Sequence, residues 1–317
     1  MIKEDKIITE VNSVFEQPWW LDIVSGGMWK EIKIVNKNNE CIGRLPYINK
    51  SLYGSEYIGT PVLTQQLGPW FKFENNEKNV SKLKKTKKIT EEIIENLKNI
   101  KNVDLYLHHN FTYVLPFIWN GYKVEPKFSY IIDDLTNIQN IFNNFDSKLR
   151  NLIKNAEKNL KVVYDIDINI LVDLLKETFH KQNRNLPFDE NLIEKIIKDS
   201  KKYNAGISVG VVADNDKVIA GGFFLYDNNV CYYLLGGKSY SANIPGSQEL
   251  VIWEGIKFAS QISKSFDFEG SMIPGIESFF RAFGGRPQIY FRVRKGNLYF
   301  NFLNYIKPIV KKVLNYK

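Results

Sequence analysis

Residues 265–294 read SFDFEGSMIPGIESFFRAFGGRPQIYFRVR, and the fold turns on how this stretch is parsed. SFDFEG reads as a strand. Strand side chains alternate, so Asp267 and Glu269 project to one face while Phe266 and Phe268 project to the other. Gly270 then frees the backbone for a tight turn or a close approach. Pro274 suits the first turn of a helix, which carries Phe279, Phe280 and Arg281 to a stop at Gly284 and Gly285. Residues 288–293 return as a strand. Two acids at a strand end therefore feed a helix bearing an arginine, an arrangement on which chemistry is often built.

Working outward from there, the order is regular. Helices are expected at 168–181 and 190–203. Strands follow at 207–213, 218–226 and 230–236, with turns at 214–216 and 227–229. A loop, 237–247, leads into a helix at 248–262. Hairpin-linked strands followed by helical crossovers predict a mixed sheet in an α/β (α+β) architecture. Residues 137–160 read as one long helix, because Ile138, Phe142, Phe145, Leu149, Leu152, Ala156 and Leu160 recur at helical spacing. On another face Arg150, Lys154 and Lys158 recur every fourth residue. That ridge is either a solvated face or a clamp for phosphate or carboxylate.

The first part shows a weaker version of the same order. A short aromatic helix at 17–24 precedes strands at 31–35 and 40–49, an ordered loop at 54–70, and a basic, solvated loop at 81–88. A helix at 89–100 and strands at 103–108 and 128–132 follow. The repetition suggests an internal duplication, with domains at 1–136 and 137–297 and a tail at 298–317. In the tail Leu303, Ile306, Val310, Val313 and Leu314 have helical spacing, and Lys307, Lys311, Lys312 and Lys317 add charge. It either packs back onto the first domain or lies on an anionic membrane surface.

The 317 residues favour two domains, and 44% hydrophobic residues suffice for two cores. A net charge of +8 directs attention to anionic partners: nucleic acid, nucleotide sugars, coenzyme A or acidic lipids. Cys41 and Cys231 sit in apolar strand-like segments without CxxC spacing, and His108, His109 and His180 are too few and too scattered for a metal cluster. A disulfide framework and a metal site are therefore not expected. The N-terminus lacks an apolar signal core and no stretch is long enough to span a membrane, so a cytoplasmic protein is expected, with the inner face of the membrane as a second location.

The runs QPWWLDIV, LTQQLGPW, SKLRNLIKNAEK, YYLLGGKSYSANIPGSQELVIWEGIKFA and FDFEGSMIPGIESFFRAFGG, taken in that order, resemble the Fem-related, GNAT-like acyltransferases. The resemblance covers residues 17–295. It implies two tandem GNAT-like domains with a cleft between them, no metal and no tightly bound cofactor. It implies transfer of an acyl or aminoacyl group from acyl-coenzyme A or aminoacyl-tRNA to an amine of a cell-envelope or polysaccharide precursor. The chain departs from the coenzyme-A-binding type: SYSANIPGSQ, residues 239–248, replaces that type's glycine-rich pyrophosphate loop.

Several residues carry the chemistry that acyl transfer requires. Asp267 or Glu269 is the candidate base, since burial raises a carboxyl pKa toward the working range. By resemblance, Arg281 would stabilise negative charge on the reacting carbonyl beside Phe280. Likewise Arg184 and Gln182 would meet the acceptor's phosphates, Gln66, Gly68 and Trp70 would line the cleft, and Gly237, Lys238, Ser247 and Gln248 would hold the donor. Lys50, Tyr130, Arg150 and Lys154 complete the substrate candidates. A second hypothesis from a different class is a non-catalytic tandem scaffold that binds nucleotide-linked glycans or anionic membrane.

Overall fold

A computed structural model describes residues 7–213, 217–242, 244–270 and 272–314, with side chains up to residue 306. The turn expected at 214–216 and the tail side chains Lys307, Val310, Lys311, Lys312, Val313, Leu314 and Lys317 lie outside the described residues. The chain divides into two compact units, 1–127 with 289–317, and 128–288. The boundaries thus fall earlier than 136/137 and 297/298, within strands, and the tail belongs to the first unit.

The first unit opens with a 3-10 turn, Val14–Glu16, and α1, Pro18–Ser25. Strands β1 (Trp29–Val35), β2 (Cys41–Leu52), β3 (Ser55–Gly59) and β4 (Trp70–Phe71) precede α2 (Asn79–Leu97), β5 (Val103–Leu107) and α3 (Leu115–Trp119). Strand β6, Lys123–Ile132, then carries the chain into the second unit. The first sheet runs β1-β2-β3-β5-β12, where β12 is Arg286–Lys295; β3 and β5 are parallel and the other pairs antiparallel. Helix α2 lies directly on β2, and a Cβ on Gly43 would come within 2.3 Å of Ile89.

Residues 81–88, read as a solvated loop, form the body of α2 instead. Lysine and leucine are good helix formers, and Thr86, Ile89, Thr90, Ile93, Ile94 and Leu97 make the buried stripe that anchors the run. The closing helix α10, Leu298–Leu314, packs through Phe300 and Leu303, with the Phe300 ring 5.1 Å from that of Tyr57.

The second unit contains α4 (Ile138–Asn143), α5 (Ser147–Asn159), β7 (Lys161–Tyr164), α6 (Ile168–Lys181), α7 (Glu190–Lys202), β8 (Gly206–Val212), β9 (Val218–Tyr226) and β10 (Val230–Lys238). Then follow α8 (Ser247–Ala259), β11 (Ser265–Asp267) and α9 (Pro274–Arg281). Asp146, Asp167 and Asp189 cap α5, α6 and α7, each accepting a bond from the N–H two residues on. The Asp146 cap also explains why 137–160 is two helices and not one: it starts α5 afresh, after Asn137 has capped α4. The sheet runs β6-β11-β10-β9-β8-β7, with β10 and β11 parallel and the others antiparallel. Each unit thus repeats one pattern: an antiparallel meander, a parallel pair, then an antiparallel strand. Gly221 on β9 faces Leu171 and Leu174 of α6, whereas its neighbour Gly222 faces Val251 of α8. Consecutive strand residues point to opposite faces, so α6 and α8 cover the two sides of the sheet.

Candidate active site

Strands β10 and β11 pair only from Val230 against Ser265 to Tyr232 against Asp267. There β11 ends, while β10 bulges between Tyr233 and Leu235 and runs on to Lys238. The parted strands leave backbone and side chains of β10 uncovered, and a pocket of about 690 Å³ occupies the gap. Its wall combines β10 from Tyr233 to Lys238, Gln248 and Glu249 of α8, Glu269 and Gly270 beyond β11, and Phe279 and Phe280 of α9. Thr178 and Gln182 at the end of α6 close one side. All of these residues belong to the second unit.

Asp267 and Glu269 occupy different environments. Asp267 is fully buried; its Oδ1 accepts from the Ser129 hydroxyl and, at 2.7 Å, from the Glu269 N–H. Its Oδ2 is buried with no hydrogen-bond partner among the described residues. Burial dominates over these bonds and pushes its carboxyl up to about 6. Glu269 is half-buried as a residue and lines the pocket, but its Oε1 is buried. Desolvation first, and the neighbouring Asp267 charge second, hold its carboxyl well above the usual glutamate range.

Backbone geometry separates the two acids. Glu269 has φ +59° and Gly270 φ +49°, so the strand alternation stops at Asp267. A left-handed non-glycine residue stores on the order of 1–2 kcal/mol of strain. Gly270 is obligatory in its place: a Cβ would lie 2.4 Å from both Phe128 O and Ser129 Cα.

Arg281 donates from Nε to Glu277 Oε1 at 2.9 Å and its side chain is 64% exposed. The same Glu277 oxygen accepts from the Tyr130 hydroxyl at 2.6 Å. Those two bonds hold Glu277 below the ordinary glutamate value, and the carboxylate in turn pushes the Tyr130 phenol up. Neither Arg281 nor Asp267 lines the pocket.

The donor candidates Gly237, Lys238, Gln248 and Phe280 do line it, as does Gln182. Gln248 donates to the Tyr233 hydroxyl at 2.9 Å and to Gly221 O at 3.2 Å, while its Oε1 is buried without a partner among the described residues. Gly237 is also a packing position, because a Cβ there would meet the Leu174 carbonyl at 2.5 Å. Ser247 is buried in the first position of α8.

The loop after β10 is tied down by a residue that the sequence did not single out. Glu177 Oε1 accepts from the N–H groups of Tyr240 at 2.5 Å and Ser241 at 3.1 Å, and from Ser239 Oγ at 3.1 Å. Burial alone would raise this carboxyl; the bonds from Tyr240, Ser241 and Ser239 outweigh it and bring it below its ordinary value. A carboxylate thus fills the amide cradle that a phosphate would need. Glu249, in the first turn of α8, adds a second negative charge where a helix start would otherwise favour an anion. The Tyr240 and Ser241 amides are thus committed to Glu177.

The other predicted residues are engaged elsewhere. Arg150 Nη1 donates to Asn143 O at 2.6 Å and Phe145 O at 2.5 Å, closing the α4–α5 corner, and Lys154 lies over the Phe142 ring. Arg184 is exposed past the end of α6. In the first unit, Lys50 Nζ donates to Thr60 O at 2.9 Å, and Gln66 Oε1 accepts from His109 N at 2.7 Å. Gly68, at φ +49°, donates to the buried Glu16 at 2.7 Å, and Trp70 opens β4. Among the described residues no cluster of side chains could hold a metal, and no helix is long and apolar enough to cross a membrane.

No family model matches the chain, and no curated protein matches it either. Solved structures do. FemX superposes with a TM-score of 0.69 at 13% identity, over 89% of this chain and 92% of that one. A conserved protein of unknown function from Bacteroides thetaiotaomicron gives 0.58 at 9% identity, covering 90% and 93%. L-PGS from Bacillus licheniformis gives 0.51 at 12% identity, covering 84% of each chain. Identities this low speak for a common architecture. In fold, the chain is similar to FemX and, less closely, to L-PGS.

Proposed function

We propose that the chain is an acyltransferase and that its transfer chemistry takes place in the second-unit pocket, with Glu269 as the general base. The observation that carries this reading is a half-buried carboxyl, Glu269, lining the pocket where the parallel pair β10–β11 ends. An acceptor amine attacks the acyl carbonyl, so a C–N bond forms as the acyl ester or thioester bond breaks. The amine's proton passes to Glu269, whose elevated proton affinity suits it to that task. Glu269 then returns that proton to the leaving oxygen or sulfur. Gln248 and the uncovered β10 backbone bind the acyl portion, and Lys238 supplies positive charge near the developing oxyanion.

The Glu177 cradle favours an aminoacyl ester, carried on tRNA, over coenzyme A as donor. The net charge of +8 accords with so anionic a donor, or with a nucleotide- or lipid-linked acceptor. An amine on a cell-envelope or polysaccharide precursor is the acceptor class we infer. The test is product mass spectrometry after incubation with envelope precursors and each donor, using wild type and Glu269→Gln. Acylated product from wild type and a loss of at least about 100-fold in the variant are expected. Equal turnover by both would remove Glu269 from the chemistry. Product formed from acyl-coenzyme A alone would overturn the donor assignment.

A further inference from the structure

Helix α10 is apolar on two sides. Phe300 and Leu303 are buried against the first unit, yet Leu298, Phe302 and Tyr305 are 90%, 58% and 73% exposed. Their spacing of four and three residues places them on one face, about 10 Å long. Tyr299 and Tyr53, both more than half exposed and joined by a bond from the Tyr299 hydroxyl to Tyr53 O, widen the patch.

Beside this face lies a basic pocket of about 870 Å³, itself lined by Asn301, Asn304 and Tyr305 of α10 together with Lys123, Arg292, Arg294 and Lys295. The cations are under-compensated. Glu125 is shared among Lys123 at 2.6 Å, Arg294 at 3.4 Å, Arg292 at 3.5 Å and Lys127 at 3.7 Å. Asp104 is committed to Arg292 through two 2.6 Å bonds. Arg294 Nε is buried without an acceptor among the described residues. Among the described residues two carboxylates therefore face five cations, counting Lys127 at the edge and Lys295, whose Nζ donates to Asn120 O at 3.0 Å, and the surplus sits next to exposed aromatic and aliphatic side chains.

We infer that the Leu298–Phe302–Tyr305 face and the adjoining Lys123–Arg294–Lys295 pocket form a docking surface for an anionic phospholipid membrane, with a lipid phosphate in the pocket. Apolar and aromatic groups enter the headgroup boundary while the cations meet the negative surface. Nucleic acid would use the same cations and can stack bases on Phe302 and Tyr305, but it offers no apolar phase to Leu298, the most exposed side chain of the face at 90%. The inference is independent of the proposed chemistry, since none of these residues belongs to the second-unit pocket.

Flotation of the full chain with phosphatidylcholine vesicles, with and without phosphatidylglycerol, tests it. Binding is expected to the anionic vesicles and not to the neutral ones. Leu298→Ser with Phe302→Ser should weaken it at least tenfold. Lys123→Gln with Lys295→Gln, both exposed, should cost about fivefold per cation removed. Circular dichroism confirms that each variant remains folded. No flotation with anionic vesicles, or flotation unchanged in both variants, overturns the inference. So does retention of tRNA that depends on Lys123 and Lys295 without any vesicle binding.

Discussion

Asp267→Asn isolates the cost of burying a carboxyl at the end of β11. The pKa of Asp267 rises from its ordinary 3.8 to about 6 on folding. Between those two values the folded chain holds a proton that the unfolded chain has released. Stability must therefore fall as pH rises through this window, opposite to the behaviour of a salt-bridged aspartate. A shift of roughly two units corresponds to ~3 kcal/mol, lost by about pH 7 and recovered by about pH 4. Asparagine keeps an Oδ1 acceptor for Ser129 and for the Glu269 N–H. Its Nδ2 replaces an oxygen that has no partner among the described residues. The variant thus carries a pH-independent penalty of about 1–3 kcal/mol for an unmatched donor, but no titration. Equilibrium urea unfolding of both proteins from about pH 4 to about pH 7 gives the test. The stability of Asp267→Asn relative to wild type should improve by ~3 kcal/mol across the range. Parallel stability curves would refute the reasoning, whatever the offset between them.

Gly270→Ala should destabilise by more than about 2 kcal/mol, through backbone collision and positive φ together. Gly275→Ala, at the second position of α9 with nothing within 4 Å of its added Cβ, should be neutral or stabilise by up to about 1 kcal/mol; thermal melts compare the pair. Glu177→Gln should speed hydrogen exchange at the Tyr240 and Ser241 amides, read by mass spectrometry, and should raise coenzyme A affinity if the carboxylate is what keeps a phosphate out. Arg150→Ala should cost about 1–2 kcal/mol by freeing the Asn143 and Phe145 carbonyls, whereas Lys154→Glu should change unfolding midpoints little; chemical denaturation distinguishes the two.

Much of the architecture could be read along the chain because its signals are local. The order of elements after residue 168 follows from hydrophobic periodicity and from glycine and proline placed at turns. Strand β7 has no local signal: KVVY is too short for alternation to register, and it forms by pairing with β8. The break between α4 and α5 has a signal, Asp146 before Ser147, but the apolar stripe runs through it uninterrupted and masks it. The lysine-rich start of α2 reads as solvated loop on charge alone; helix propensity and the buried stripe from Thr86 to Leu97 make it helix. At the site, spacing picked out Asp267 and Glu269 but could not tell them apart. Strand alternation puts both on one face, and only the positive φ at Glu269 turns it toward the pocket while Asp267 stays inside. Glu177 acts on a loop some sixty residues away in sequence, and no local pattern reports such a contact.

The central claim is that Glu269 removes the acceptor's proton, and the pH dependence of kcat/KM for acyl transfer tests it most directly. The wild-type rate should climb with pH along a limb whose apparent pKa lies well above that of an ordinary glutamate. In Glu269→Gln that limb should vanish while KM for the donor holds. A rising limb of the same shape and position in Glu269→Gln would contradict the account.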